Sequence, residues 1–196
     1  ALYLGRPNAP VITVPKQLAS FQAIPAQNKS SWTADQIMAL ANQFRTGSSS
    51  ATHSYFWVVF LKGNFNSGSG VIPSTVGVSI GNTTVLAIFK DVVRATGVGL
   101  GTTLSGVDLS EAVPKYVEQS TIIHEMGHGL GLVNNGLPMQ TAHQDAAHGK
   151  HCDNPDCVMY YLNEGASDLQ AFATKFATSA SPVMYDAKCL SDSRSY

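Results

Sequence analysis

The sequence predicts an α+β fold, and three observations carry that prediction. Two segments have apolar residues at helical spacing, several short runs are aromatic and β-branched, and a glycine–asparagine pair joins two of those runs as a hairpin would. From Ala1 to Ser30, prolines at positions 7, 10, 15 and 25 break any long period, so an extended strap with one short strand is expected. Ser31 to Gln36 offers N-cap residues, and Ile37, Leu40, Ala41 and Phe44 repeat at helical spacing, which predicts a helix over 33–46. Tyr55 to Leu61 reads as a central buried strand, and the Gly- and Ser-rich stretch from Gly63 to Gly70 as a loop. Val76–Ile80 and Thr83–Phe89 flank Gly81-Asn82 and predict an antiparallel hairpin at a sheet edge. After a flexible 97–106 segment, Ser110 is the expected cap of a long helix carrying Val113, Val117, Ile122, Ile123 and Met126, with Pro114 in its first turn. A last helix is expected over about 167–178, followed by an irregular tail after Pro182.

The composition excludes some functions before any motif is considered. Of 196 residues, 13% are charged, about half the roughly 25% of an average soluble domain. Twelve basic and 13 acidic residues leave a net charge of −1 without any basic run, which argues against a nucleic-acid partner. The longest apolar run, Tyr55 to Leu61, is far short of the roughly 20 residues a bilayer span needs, so no membrane span is expected. Low charge and many small polar residues lean toward a secreted or otherwise extracytoplasmic chain, while the start at Ala1 without a charged-then-apolar leader reads as a processed or a trimmed chain.

Chemistry concentrates late in the chain, where His124, His128, His143, His148 and His151 are five of the six histidines. His124 and His128 lie four apart on the long predicted helix, so they project from one face, one turn apart, as two imidazoles on one zinc require. Glu125 is then beside the metal without pointing at it, placed to take a proton from water and give it to a leaving amine. Chance predicts roughly 0.004 such motifs from this composition.

The string His124-Glu125-Met126-Gly127-His128-Gly129-Leu130-Gly131 resembles the opening of the metzincin zinc peptidase motif. In metzincins the third ligand usually follows that glycine by three residues; here Asn134 stands there, and its neutral amide is a poor substitute for imidazole. The segment His151-Cys152, four residues, Cys157-Val158-Met159 is similar to the archaemetzincin pattern of third histidine, cysteine pair and Met-turn methionine. On that resemblance His151 is the third ligand after an insertion of about 132–150; His148, His143 and a carboxylate such as Asp145 are the alternatives. Met159 is then the Met-turn residue. Tyr161 coincides with a tyrosine that in some metzincins leaves the zinc to stabilise the tetrahedral intermediate.

The resemblance implies a mixed twisted sheet with a backing and an active-site helix over a smaller irregular C-terminal lobe. It makes 1–196 a single catalytic domain, with an upper lobe over about 1–131 and a lower one over about 132–196. It also implies one catalytic Zn2+, a monomer, and a peptide or protein substrate cut by zinc-dependent endopeptidase chemistry, the substrate pairing with the edge of the 76–89 hairpin. In archaemetzincins four cysteines hold a second structural zinc, and here Cys152, Cys157 and Cys189 with Asp192 would take that place; a Cys152–Cys157 disulfide with Cys189 free is the preferred reading, because it suits an exported protein. A catalytically silent metzincin-fold binding module, suggested by Asn134 and the insertion, and a zinc-stabilised interaction domain are the rival functions.

Overall fold

The computed structural model describes residues 10–98, 103–104, 107–166, 168 and 184–195. It is a mixed α+β structure. The strap over 10–30 is extended and exposed and holds one 3-10 turn, Leu18–Ser20, with no strand among its described residues. Strand β1 is Ser31–Trp32, and helix α1 follows at Ala34–Phe44. A complete capping box starts α1: the Thr33 hydroxyl accepts the Gln36 backbone N–H, and the Gln36 side chain accepts the Thr33 N–H. Ile37, Leu40 and Ala41 form its buried stripe.

Strands β2 (Trp57–Leu61), β5 (Gly77–Ser79) and β6 (Val85–Phe89) form a sheet in the order β2-β6-β5. All five residues of β6 are buried, because β6 has a parallel partner in β2, an antiparallel one in β5, and helices against it. The run at 55–61 is therefore not the central strand. Among the described residues β2 pairs on one side only, and it alternates, with Trp57, Val59 and Leu61 buried while Val58 and Phe60 are half-buried. The hairpin stands as expected, with Gly81 at φ 54° in its turn, and its outer strand is β5.

The expected loop at 63–70 contains a strand, β3 (Asn64–Asn66), which pairs parallel with β1 and antiparallel with β4 (Val71–Ile72). Phe65, packed on Phe89 at 6.1 Å between ring centroids, anchors a stretch whose composition reads as turn. Helix α2 (Lys90–Ala95) follows β6 directly; six residues are too few for a periodic signal. Two strands, β7 (Thr103–Leu104) and β8 (Val107–Asp108), pair antiparallel, the first inside the 97–106 stretch expected to be flexible and the second directly after it.

Helix α3 runs from Leu109 to Gly129 and packs across β5 and β6. Its cap is Asp108 rather than Ser110: the Asp108 carboxylate accepts both the backbone N–H and the hydroxyl of Ser110. Pro114 consequently sits past the first turn. Gly77 is the point of closest approach between β5 and α3, where a Cβ would collide with the Thr121 methyl. The expected helix at 167–178 lies outside the described residues apart from Asp168. The tail is not irregular: Asp186 caps helix α4 (Ala187–Arg194) by accepting the Cys189 N–H at 2.8 Å. Buried Cys189, Asp192 and Ser193, not an apolar stripe, tie α4 down. No described helix is long and apolar enough to cross a membrane.

Candidate metal centres

Spacing on α3 and the return of the chain bring three imidazoles together. His124 and His128 have ring centroids 4.7 Å apart and Nε2 atoms 3.1 Å apart. His151 closes the triangle at 5.3 Å from His124 and 5.0 Å from His128. Two of the rings are held by backbone carbonyls on their far nitrogens: His124 Nδ1 lies 2.7 Å from the Val158 oxygen, and His151 Nδ1 lies 2.6 Å from the His148 oxygen. Those Nδ1 atoms therefore carry protons, which leaves the His124 Nε2 lone pair facing the middle of the group. The carboxylate of Glu164, in the 3-10 turn Tyr161–Glu164, lies 3.0 Å from His151 Nε2, and the four donor atoms are all within 4.8 Å of one another. This is a donor set that could hold a metal ion.

Burial keeps the donors ready. It pushes His124 down to about 3 and His128 to about 4, neighbouring imidazoles adding to it, so both are neutral at pH 7. At His151 burial also opposes the charge, but the Glu164 carboxylate and the His148 carbonyl outweigh it and raise the pKa. Glu125 is 4% exposed and raised to about 8, first by burial and then by the Glu164 charge, while the Ser79 backbone N–H partly counters both. Glu125, His128, His151 and Glu164 line a cleft of about 470 Å³ whose opposite wall is β5 with Val78 and Ser79.

Beneath the imidazoles, Met159 is fully buried against Gly127, where a Cβ would collide with its sulfur. The Tyr185 hydroxyl donates to the Ile123 carbonyl at 2.6 Å and ties the segment before α4 to the same helix. Asn134 is exposed at φ 58°. Its amide donates to Gln144 and its carbonyl accepts the Lys150 ammonium, so it closes the base of the 132–150 segment as a turn residue and is not in the donor group. Tyr161 lies flat on His148, with centroids 3.5 Å apart, and His148 Nδ1 is 2.6 Å from Asp145.

The cysteines form a second group. Cys152, Cys157 and Cys189 are fully buried thiols, with no disulfide among them. Cys157 Sγ is 3.6 Å from Cys189 Sγ, and His143 Nδ1 is 3.4 Å from Cys152 Sγ and 3.9 Å from Cys189 Sγ. His143, Cys152, Asp186 and Cys189 make a second set of donors that could hold a metal. Asp192 lies behind it, its carboxylate bonded to His143 Nε2 at 2.8 Å and to the Gln140 N–H at 2.7 Å. The neighbouring thiols lower the Cys157 pKa to about 4 and raise that of Cys152 to about 11. Extended backbone sends consecutive side chains to opposite faces, so His151 enters the cleft while Cys152 enters the thiol group.

Glu164 and the proximity of His143 to sulfur escape the sequence, since neither stands at any motif spacing from its partners. Asp186 had a signal, an Asp three residues before Cys189 at a helix start. Compared with models of known protein families, with curated proteins and with solved structures, the chain matches none, so what the two centres mean rests on their own chemistry.

Proposed function

We propose that the chain is a secreted zinc-dependent endopeptidase, a metzincin with an archaemetzincin-like third ligand and Met-turn. The observation that carries this reading is the convergence of three imidazole Nε2 atoms beside a buried carboxyl at the floor of a cleft. His124, His128 and His151 would hold the catalytic ion and the thiol group a second, structural zinc. Zinc fits the first set by its three imidazole nitrogens and the second by its buried sulfurs. When bound in the cleft, the ion supplies a Lewis acid for the scissile carbonyl and lowers the pKa of water toward about 7.

The remaining work belongs to the chain. Glu125 takes the proton of the attacking water on its carboxylate and delivers it to the leaving amine. Ser79 N–H, on the free side of β5, fixes that carboxylate. An extended peptide adds to β5 as a further antiparallel strand, which lays its backbone along the cleft wall. Met159 packs under the imidazole-bearing helix at Gly127 and keeps water out from below.

Glu125→Ala tests the reading: it should keep zinc and lose cleavage of a generic unfolded protein substrate, and equal cleavage by both proteins would sink the mechanism. One observation favours a second reading, a silent binding module. Glu164 completes four donors around the cleft position, and closed sites are structural whereas catalytic ones keep a position open. Glu164→Ala separates the two. A large gain of cleavage would show that Glu164 blocks the ion, and silence in both proteins would favour the module.

A further inference from the structure

We infer that the fourth ligand of the second zinc is His143, giving a Cys3His site of Cys152, Cys157, Cys189 and His143, and that Asp192 holds the outer nitrogen of that imidazole. The inference rests on the two-zinc reading and changes its donor set. A tetrahedral ion with Zn–S near 2.3 Å and Zn–N near 2.0–2.1 Å sets its donors roughly 3.5–3.8 Å apart. Three pairs of the set match: His143 Nδ1 to Cys152 Sγ at 3.4 Å, Cys157 Sγ to Cys189 Sγ at 3.6 Å and Cys189 Sγ to His143 Nδ1 at 3.9 Å, with Cys157 reaching the group through Cys189.

The rival carboxylates are already engaged. Asp192 accepts the Gln140 N–H on one oxygen and the His143 Nε2–H on the other. Asp186 lies 3.5 Å from Cys152 Sγ, but its oxygens accept the Cys189 N–H that starts α4 and the Asn154 amide, so its place is that of a cap beside the sulfurs. His143, by contrast, is 1% exposed, and with its Nε2 proton given to Asp192 its Nδ1 lone pair faces sulfur. Such a carboxylate–imidazole pair fixes the tautomer and raises the basicity of a metal-binding ring. Cys157 Sγ also receives the Asp186 backbone N–H at 3.4 Å, a donor suited to a thiolate. The three cysteines and His143 are each 1% exposed or less, which leaves no open position and makes the site structural.

The test uses the full chain with His128→Ala, which takes one of the four donors from the cleft and weakens it, so that at low zinc the sulfur site is filled first and read alone. Elemental analysis should find one zinc per chain. X-ray absorption at the zinc edge should show three sulfurs, one lighter donor and the outer-shell pattern of a single imidazole. In the same background, His143→Ala should weaken zinc binding at least tenfold, and Asp192→Asn by about 10–100-fold, as expected for an outer partner of a ligand. Three sulfurs without an imidazole pattern, with His143→Ala harmless and Asp192→Ala ruinous, would overturn the assignment in favour of Asp192. A folded His128→Ala protein that takes up no zinc would overturn the site altogether. Should His128→Ala not fold, wild type loaded with two cobalt(II) ions must show thiolate-to-cobalt charge-transfer absorption that weakens in His143→Ala; no such band, or one that His143→Ala leaves unchanged, refutes the proposal. The endopeptidase reading fails separately: a wild type that binds two zincs without cleaving loses it while this site stands, and one that cleaves with a single zinc does the reverse.

Discussion

Glu125 is a carboxyl placed where it is costly to ionise, next to imidazoles placed where they are costly to protonate. With zinc bound, Glu125→Gln should retain the metal and lose a factor of about 10²–10⁴ in kcat/KM, the range of general acid–base catalysis; a loss under tenfold would mean that another group moves the proton. Without zinc, the same residues shape stability. Unfolded, His124 and His128 take protons near 6.5; folded, they resist until about 3 and about 4. Between about 4 and 6.5 the unfolded chain therefore binds more protons, and stability rises with pH. Glu125 opposes this, since folded it keeps its proton to about 8 and unfolded it releases it near 4.5. Two imidazoles outweigh one carboxyl, so the Tm of the zinc-free protein should climb from pH 4.5 to 6.5 and climb more steeply in Glu125→Gln. A Tm that is flat or falling over that window would contradict the buried, neutral imidazoles.

At the scale of elements, α3 is the part on which the rest is assembled. Its cleft face carries His124, Glu125 and His128, and Gly127 between them admits Met159. Gly127→Ala should cost about 1–3 kcal/mol by overpacking against that thioether and should lower zinc occupancy at the same time. Thr33→Ala, at the cap of α1, should cost about 1 kcal/mol and leave zinc occupancy unchanged. Chemical denaturation with zinc analysis on both variants checks the contrast, and an unchanged midpoint for Gly127→Ala would mean that the 157–160 turn yields freely. The elements also mark where the sequence stops being informative. α1, the β5–β6 hairpin and α3 were legible because each combines a local signal with a long apolar pattern. β3 and α2 were not, since three and six residues carry no period and both are held by neighbours: Phe65 by Phe89, and Lys90 by its ion pair with Glu118. α4 was missed because its anchors are a cap and buried polar groups.

For the whole molecule, the two centres differ in how they could be foreseen. The cleft was largely readable, because residues four apart on a helix meet by construction and the third histidine precedes a cysteine–methionine pattern. Glu164 was not, since its approach depends on how the chain turns after Met159. If zinc binds only the folded protein, added zinc at 100 times its Kd should raise stability by about 2.7 kcal/mol per site, and a strong chelator should remove that gain together with cleavage. Thermal unfolding against zinc concentration measures this, and a Tm indifferent to zinc would leave both donor sets without a metal.

One peptide bond, between His151 and Cys152, joins the cleft to the thiol group. Oxidation begins at accessible thiolates, and all three sulfurs here are shut away from solvent by the fold itself. A displacement of Cys152 is handed on to His151 through that one bond: the two donor groups cannot be rearranged independently, and a substitution at either should be felt at the other.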